Sequence, residues 1–358
     1  MVKPKIVCHL IMLITFFSFG KISQTQITFI SDRDWNNEIY VMDPNGDNLR
    51  RLTNHPAYDG QPSWSPDGRK IVFVTGRGGG GNVEIYVMNS NGNNLRNLTN
   101  HPARNISPSW SPNGRGIVFM SNRDEAKNVE IYVIDPNGDN LRRLTNHPAY
   151  DGQPSWSPDG RRIAFVSDRD LNYEIYVVDS NGNNLRGLTN HLGEDESPRW
   201  SPDGQRIAFV SNRNGRFNIY IMDSNGNNLR NLTNHPGDDG PPNWSPDGQR
   251  ITFQSLMDGN SNIYVMDPNG DDLRRLTDHL AFDGLPSWSS DSKQIAFVSE
   301  RDLNYEIYVT DVNGINIHNL TNHPVYDFQP NWFNSDGYLV SPDSNLMTMW
   351  GRIKRACD

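Results

Sequence analysis

A tryptophan inside a P-x-W-S-P-D-G-like motif recurs seven times, and its spacing constrains the fold more than any other feature of the chain. Successive copies lie 46, 46, 44, 44, 44 and 44 residues apart, at Trp64, Trp110, Trp156, Trp200, Trp244, Trp288 and Trp332. A unit of this size, built from short strands and Gly/Pro turns, cannot bury its own apolar face. It must stack on copies of itself.

Each unit carries the signals of four short strands. In one copy, Pro154-Ser155-Trp156 is the first strand, and an S-P-D-G turn leads to a second strand over Arg162–Ser167. Glu174–Asp179 is the third strand, and the turn at Asn181-Gly182 leads to a fourth strand at residues 185–189. Asn-Gly is a strong hairpin signal. Four strands in about 44 residues are typical of a propeller blade.

The two ends of the repeat predict how the array closes. The chain begins with a strand of the second kind at residues 26–31, and it ends with an extra first strand at Pro330-Asn331-Trp332. The sequence therefore predicts an all-β, seven-bladed β-propeller of four-stranded blades, whose ring is closed by the C-terminal strand completing the N-terminal blade. The alternative is an open solenoid, which would need polar caps at both ends.

The segments outside the repeat have compositions of their own. Lys3 and Lys5 precede an apolar stretch at residues 6–19, and small residues follow up to Gly20. This pattern predicts a signal peptide at 1–20, a propeller domain at 21–340 and a loose C-terminal tail at 341–358. We therefore expect a periplasmic or secreted protein with no membrane span in the mature chain. That chain keeps one cysteine, Cys357, and so has no internal disulfide.

The net charge limits the partners. A formal charge of −9 argues against nucleic acid, because neutralising phosphates requires a basic face. It also argues against an anionic membrane surface. We expect a monomer whose partner is another protein, in the cell envelope or outside the cell.

The order of motifs within each repeat resembles a known family. W-S-P-D-G, I-A-F-V-S, E-I-Y-V-M-D and L-T-N-H follow one another in this order across residues 26–337. This order is similar to the WD-repeat-like propeller of TolB-type proteins. The resemblance implies an extracytoplasmic propeller that interacts with proteins. Related propellers also gate prolyl-oligopeptidase-type hydrolases, and some pectin-fragment lyases resemble this propeller type.

Histidine and acidic residues recur in the loops and are the candidate metal ligands. One histidine follows L-T-N or L-T-D in every unit, at His55, His101, His147, His191, His235, His279 and His323. We interpret them as loop-fixing residues, because metal sites need convergent ligands. Asp32, Asp34, Asn36 and Glu38 resemble the start of a calcium loop. We expect no cofactor, and calcium is the alternative.

Aromatic residues in the loops are the candidate partner-binding residues. Aromatic side chains on the loops of a rigid scaffold are a common way to hold a partner. The candidates are Trp35, Tyr58, Tyr150, Tyr173, Phe282, Tyr305 and Tyr326. Phe217 occupies a similar loop. The alternative is that several of these rings pack against adjacent loops.

These observations favour one function and leave two others open. The chain lacks G-x-S-x-G and H-E-x-x-H motifs, so we favour a non-enzymatic propeller scaffold that binds a protein partner through its aromatic, His- and Asp-bearing loop face. The first alternative is a metal-dependent lyase or hydrolase acting on a glycan or acidic substrate in the central channel. The second is a sensor or gate domain that works with a companion chain.

Overall fold

Seven four-stranded antiparallel sheets form a ring in the computed structural model, which describes residues 25–124 and 128–333. This confirms the predicted all-β, seven-bladed propeller. The signal peptide assigned to residues 1–20, the tail at 341–358 and the outer limits of the 21–340 domain lie outside the described residues. Within the described ranges, no helix is long and apolar enough to cross a membrane.

The innermost strand of each blade ends at the motif tryptophan. These strands are β4 (Asp59–Trp64), β8 (Asn105–Trp110), β12 (Asp151–Trp156), β16 (Asp195–Trp200), β20 (Asn243–Trp244), β24 (Asp283–Trp288) and β28 (Asp327–Trp332). Most are twice the predicted length, because a β-bulge absorbs the residue before the proline. In β12 the register shifts between Gly152 and Ser155, and Gln153 has a φ of 53°. β20 is shorter because Pro241 and Pro242 have no N–H to donate.

The second and third strands hold most of the apolar residues. The second strands are β1 (Ile27–Ser31), β5 (Lys70–Thr75), β9 (Ile117–Ser121), β13 (Arg162–Ser167), β17 (Arg206–Ser211), β21 (Ile251–Ser255) and β25 (Gln294–Ser299). The third strands are β2 (Glu38–Met42), β6 (Glu84–Asn89), β10 (Glu130–Ile134), β14 (Glu174–Asp179), β18 (Asn218–Asp223), β22 (Asn262–Met266) and β26 (Glu306–Asp311). Both faces of these strands are covered by neighbouring blades, so the runs are continuously apolar.

The outermost strands are only two residues long. They are β3 (Arg50–Arg51), β7 (Arg96–Asn97), β11 (Arg142–Arg143), β15 (Arg186–Gly187), β19 (Arg230–Asn231), β23 (Arg274–Arg275) and β27 (His318–Asn319). The sequence predicted a longer fourth strand in the unit of β15. Short, charged outer strands leave little free edge for another chain to pair with.

The last described strand closes the ring. β28 pairs antiparallel with β1, with Ile27 opposite Trp332 and Ser31 opposite Asp327. Blade 1 therefore consists of β28, β1, β2 and β3, and blades 2 to 7 follow in chain order as β4–β7 through β24–β27. The predicted closure is confirmed.

The hydrophobic core lies between neighbouring blades. Val72 and Ile85 of blade 2, for example, pack with Trp110 and Phe119 of blade 3 in one buried cluster. The Trp110 indole N–H also donates to the carbonyl of Ser63 in the previous blade, at 3.2 Å. Trp156, Trp244 and Trp288 make the same bond. Each of these tryptophans thus fills the interface and fixes its register.

Candidate functional site: the loop face

Two sets of loops meet at one end of the ring. Consecutive strands are antiparallel, so the loops between second and third strands lie at the same end as the loops that connect successive blades. We call this end the loop face. Its two loop sets are bonded to each other: Asn36 Nδ2 donates to the carbonyl of His55 at 2.7 Å, and Asn304 Nδ2 donates to that of His323 at 2.7 Å.

Buried Asp–Arg pairs support the loop face from below. In blade 4, the Arg169 guanidinium donates to both carboxylate oxygens of Asp151 at 2.9 Å, and the carboxylate is fully buried. The same pair recurs as Arg33–Asp327, Arg77–Asp59, Arg213–Asp195 and Arg301–Asp283. Burial raises the pKa of Asp151, while hydrogen bonds from Ser167 and Arg169 oppose that rise.

Two blades replace one member of this pair. In blade 3 the carboxylate is replaced by an amide, and Arg123 donates to Asn105 at 2.8 Å. In blade 6 the arginine position is Met257, and Asp239 lies 3.0 Å from the imidazole Nε2 of His235. The hydrogen bond with Asp239 raises the pKa of His235.

Four of the seven repeated histidines fix the inter-blade loops in the way that the sequence predicted. The His55 imidazole Nδ1 accepts from the backbone N–H of Ala57 at 3.1 Å. His147, His191 and His279 accept the corresponding bond two residues on. In the described part of the chain, no three His, Cys, Asp or Glu side chains are grouped so that they could hold a metal ion.

The oxygens of the suspected calcium loop have partners within the protein, and Asp34 and Glu38 share Arg51. Asp34 accepts from the Tyr40 hydroxyl at 2.5 Å and pairs with Arg51 at 2.9 Å. Glu38 accepts from the Thr53 hydroxyl and the backbone N–H of His55. Arg51 also pairs with Glu38 at 2.9 Å, and Asn36 donates to Glu38 at 2.9 Å, so these carboxylates bind a guanidinium group and an amide of the same blade.

Three of the candidate aromatic rings lie over glycines of the inner strands. A Cβ atom built on Gly60 would be 2.0 Å from the Tyr58 hydroxyl. Tyr150 covers Gly152 and Phe282 covers Gly284 in the same way. Burial, followed by the charge of Asp59, raises the pKa of Tyr58 to about 12. These rings are half-buried parts of the face.

Tyr173, Tyr305 and Tyr326 form ring contacts between adjacent loops. Tyr150 and Tyr173 have ring centroids 5.7 Å apart. Tyr305 contacts both Phe282, at 5.9 Å, and Tyr326, at 5.5 Å. Phe217 packs on the core between blades 5 and 6. Tyr326 is 50% exposed; the residue two positions on is Phe328, so this ring has no glycine to lie over.

The most exposed apolar side chains on the loop face are a tryptophan and four leucines. Trp35, Leu171 and Leu303 are the tips of the loops between second and third strands, and Leu192 and Leu280 follow histidines in the inter-blade loops. All five are at least 93% exposed. Of these five, only Trp35 was predicted as a binding residue, because an aromatic residue in a loop is a signal of binding and a leucine there is not. Aligning the blades would have found the others: Leu171 and Leu303 align with Trp35, and Leu192 and Leu280 align with proline in the other five blades.

Sequence profiles match the chain to one family along most of its length. The profile of the TolB beta propeller domain matches residues 99–191, 169–235, 187–278 and 230–348. That of the Tricorn protease N-terminal beta propeller domain matches residues 15–130. The chain belongs to the TolB β-propeller family.

The similarity of this TolB-family chain to individual proteins is more limited. It is 40% identical to the Tol-Pal system protein TolB of Bordetella pertussis over 47 residues, which are 13% of this chain and 11% of that protein. A putative TolB from Agrobacterium tumefaciens superimposes with a TM-score of 0.54 at 23% identity, over 72% of this chain and 90% of the other. An oligogalacturonate lyase from Vibrio parahaemolyticus superimposes with a TM-score of 0.61 at 15% identity, over 84% and 86%. At these identities the structural matches show a shared fold.

Proposed function

We propose that this TolB-family propeller is a non-enzymatic scaffold of the periplasm or the extracellular space, and that its loop face binds a protein partner. The observation behind the proposal is the distribution of exposed apolar side chains. The five that are at least 93% exposed all lie on the loop face. A leucine also recurs in the hairpins between third and fourth strands, which we call the outer hairpins. These leucines, such as Leu49 and Leu229, are only 41–44% exposed. Exposed apolar groups of this kind mark binding surfaces.

The candidate aromatic residues take two roles in this proposal. Trp35 and Tyr326 contact the partner, because their side chains are exposed. Tyr58, Tyr150, Tyr173, Phe282 and Tyr305 are half-buried and hold the loops in one conformation. A rigid surface loses less entropy on binding than a mobile one. The extracytoplasmic location rests on the N-terminal sequence.

Cross-linking capture from the cell envelope and medium of the source organism tests the function. The captured protein is then purified, and its affinity is measured for the native chain and for two variants. The first variant replaces Leu171, Leu192, Leu280 and Leu303 by serine on the loop face. The matched control replaces Leu49, Leu95, Leu185 and Leu229 by serine on the outer hairpins.

We expect the loop-face variant to bind at least tenfold more weakly and the control to bind as the native chain does. The opposite pattern would move the binding surface to the outer hairpins. If a correctly folded bait captures no specific protein, the scaffold proposal fails. The lyase or hydrolase alternative would then be tested next, with glycan fragments.

A further inference from the structure

The three loop tips of Trp35, Leu171 and Leu303 adopt a backbone conformation that favours glycine. Their φ angles are 68°, 83° and 72°, in the left-handed region that β-carbon sterics disfavour. Blades 5 and 6 form the same turn with glycine, at Gly215 and Gly259, with φ angles of 92° and 91°. In all five turns the tip N–H donates to the carbonyl three residues earlier.

The fold therefore does not require a large side chain at this position. A side chain that is 94–99% exposed at Leu303, Leu171 and Trp35 gains almost nothing from packing, and its backbone is less favourable than that of glycine. Leu280 is a parallel case, because it is 93% exposed where five other blades have proline. Large apolar side chains stand at positions where the backbone favours glycine or proline, and they do not stabilise the fold. This indicates that they serve in binding.

Three of these exposed side chains belong to one continuous surface across blades 7 and 1. The Glu300 N–H donates to the carbonyl of Phe282 at 2.9 Å, which fixes the Leu303 loop beside the Leu280 loop. Asn304 Nδ2 donates to the carbonyl of Val325 at 3.0 Å. The Tyr326 N–H donates to the Asp32 carboxylate at 2.9 Å, and Asp32 begins the Trp35 loop. We call Leu280, Leu303, Tyr326 and Trp35 the apolar sector.

The charges around the apolar sector are mostly negative. Its loops carry five carboxylates, Asp278, Glu300, Asp302, Asp32 and Asp34. The two guanidinium groups in the same loops, Arg301 and Arg33, bind the buried carboxylates of Asp283 and Asp327. Arg51 and Arg275 pair with Asp34 and Asp278, so the carboxylates of Glu300, Asp302 and Asp32 give the sector its excess negative charge. A second copy of this surface or an anionic membrane would be repelled by this charge.

From these observations we infer that the apolar sector binds a cationic, apolar segment of a protein, in which Lys or Arg alternates with large apolar side chains. The apolar side chains of that segment pack on Trp35, Leu303 and Leu280, and its cations face the surrounding carboxylates. This inference rests on the proposed function and specifies both the sector of the loop face and the chemistry of the partner.

Selection from a random peptide display library on the purified protein tests the inference. The test variant combines Trp35→Gly, Leu280→Pro and Leu303→Gly, so each position receives a residue that other blades of this chain have there. The control variant combines Leu171→Gly with Leu192→Pro, which makes the same kinds of change in blade 4 and the loop that follows it. Both variants should fold with an unchanged or higher melting temperature.

We expect the enriched peptides to be cationic and apolar, to bind the native protein and the control equally, and to bind the test variant at least tenfold more weakly. Their affinity should fall as salt is added. Peptides that bind the test variant as tightly as the native protein would overturn the inference. If they lose affinity only for the control variant, the proposed function stands with a different sector.

Four other outcomes would also overturn it. Enriched peptides without positive charge would contradict the partner chemistry. Binding of phosphatidylcholine vesicles by the native protein and not by the test variant would assign the sector to lipid, and self-association lost in the test variant would assign it to a second copy. A selection that enriches no peptide above the bare support would count against both the inference and the proposed function.

Discussion

At the scale of single residues, the side chains at the loop tips can be changed without loss of stability, because the fold does not require them. Trp35→Gly and Leu303→Gly should leave the free energy of unfolding unchanged or raise it by up to about 1 kcal/mol, because glycine relieves the left-handed backbone. The reverse change, Gly215→Leu, should lower it by about 1 kcal/mol; a Cβ there would meet no atom within 4 Å, so only the backbone opposes it. Urea unfolding measures all three. A loss above 2 kcal/mol in Trp35→Gly would show that the side chain supports the fold.

The glycine beneath Tyr58 gives a second residue-scale prediction. Gly60→Ala should lower the free energy of unfolding by about 2 kcal/mol, because its Cβ would overlap the Tyr58 hydroxyl. Removing the ring in the double variant with Tyr58→Ala should recover most of that loss. A double-mutant cycle measured by urea unfolding checks the coupling. Equal effects of Gly60→Ala with and without Tyr58 would contradict it.

Residue identity alone could not show which loop aromatics are exposed. Tyr58 and Tyr326 occupy the same position before two inner strands, and both are tyrosines. Their exposure is decided two residues further on, where one strand has Gly60 and the other has Phe328. The steric relation between these positions becomes visible only when the ring is placed over the strand, whereas the burial of Trp64 follows from its repeat and could be predicted.

At the scale of blades, the Asp–Arg pair under the loop face is a stability element with internal controls. Arg169→Met should lower the free energy of unfolding by about 3 kcal/mol, because it leaves the buried Asp151 carboxylate without its cation. Arg123→Met should lower it by about 1 kcal/mol, because its partner Asn105 is neutral.

The effect of Arg169→Met should also depend on pH. Since burial raises the pKa of Asp151, the ionisation of this carboxyl opposes folding as pH rises through that pKa. The defect of Arg169→Met should therefore be smaller at pH 5 than at pH 8.

Blade 6 should respond to pH in its own way. The pKa of His235 is raised by its hydrogen bond with Asp239, so the stabilisation is complete below the unfolded value near 6.5 and is lost as pH rises through the higher folded value. Amide hydrogen exchange should show faster opening of β21 and β22 at pH 9 than at pH 6, after correction for intrinsic rates. Asp239→Asn should remove this dependence. An equal pH dependence in that variant would exclude the pair as its cause.

The repeat predicted the second and third strands of a blade well, but it did not predict the length of the inner strand or the replacement of an arginine by His235 in blade 6. Apolar strands and Asn-Gly turns are local signals, so the second and third strands of the unit at residues 154–189 match the prediction at both ends. The inner strand β12 was underestimated because its bulge allows Gly152 and Pro154 to lie within a paired strand. The use of His235 in place of an arginine depends on distance across the loop, which sequence spacing does not encode.

At the scale of the whole molecule, closure by β28 should control stability. A chain ending at residue 326 lacks the inner strand of blade 1 and should lose its cooperative thermal transition or melt at least 10 °C lower. A chain ending at residue 340 keeps β28 and should melt like the full-length protein. Differential scanning calorimetry compares the three chains. If the chain ending at 326 melted like the full-length protein, the β28–β1 pairing would not be what holds the ring closed.

The pairing of the first and last described strands also has a consequence for biosynthesis. The Thr28 hydroxyl bonds to the carbonyl of Asn331, 303 residues later. At about 5–20 residues per second, the ribosome needs roughly 15–60 s between these two strands. Blades 2 to 7 can form in order during that time, while β1 presents an unpaired edge. The first blade to be made is the last to be completed, so the nascent chain has its greatest need for a chaperone at its beginning.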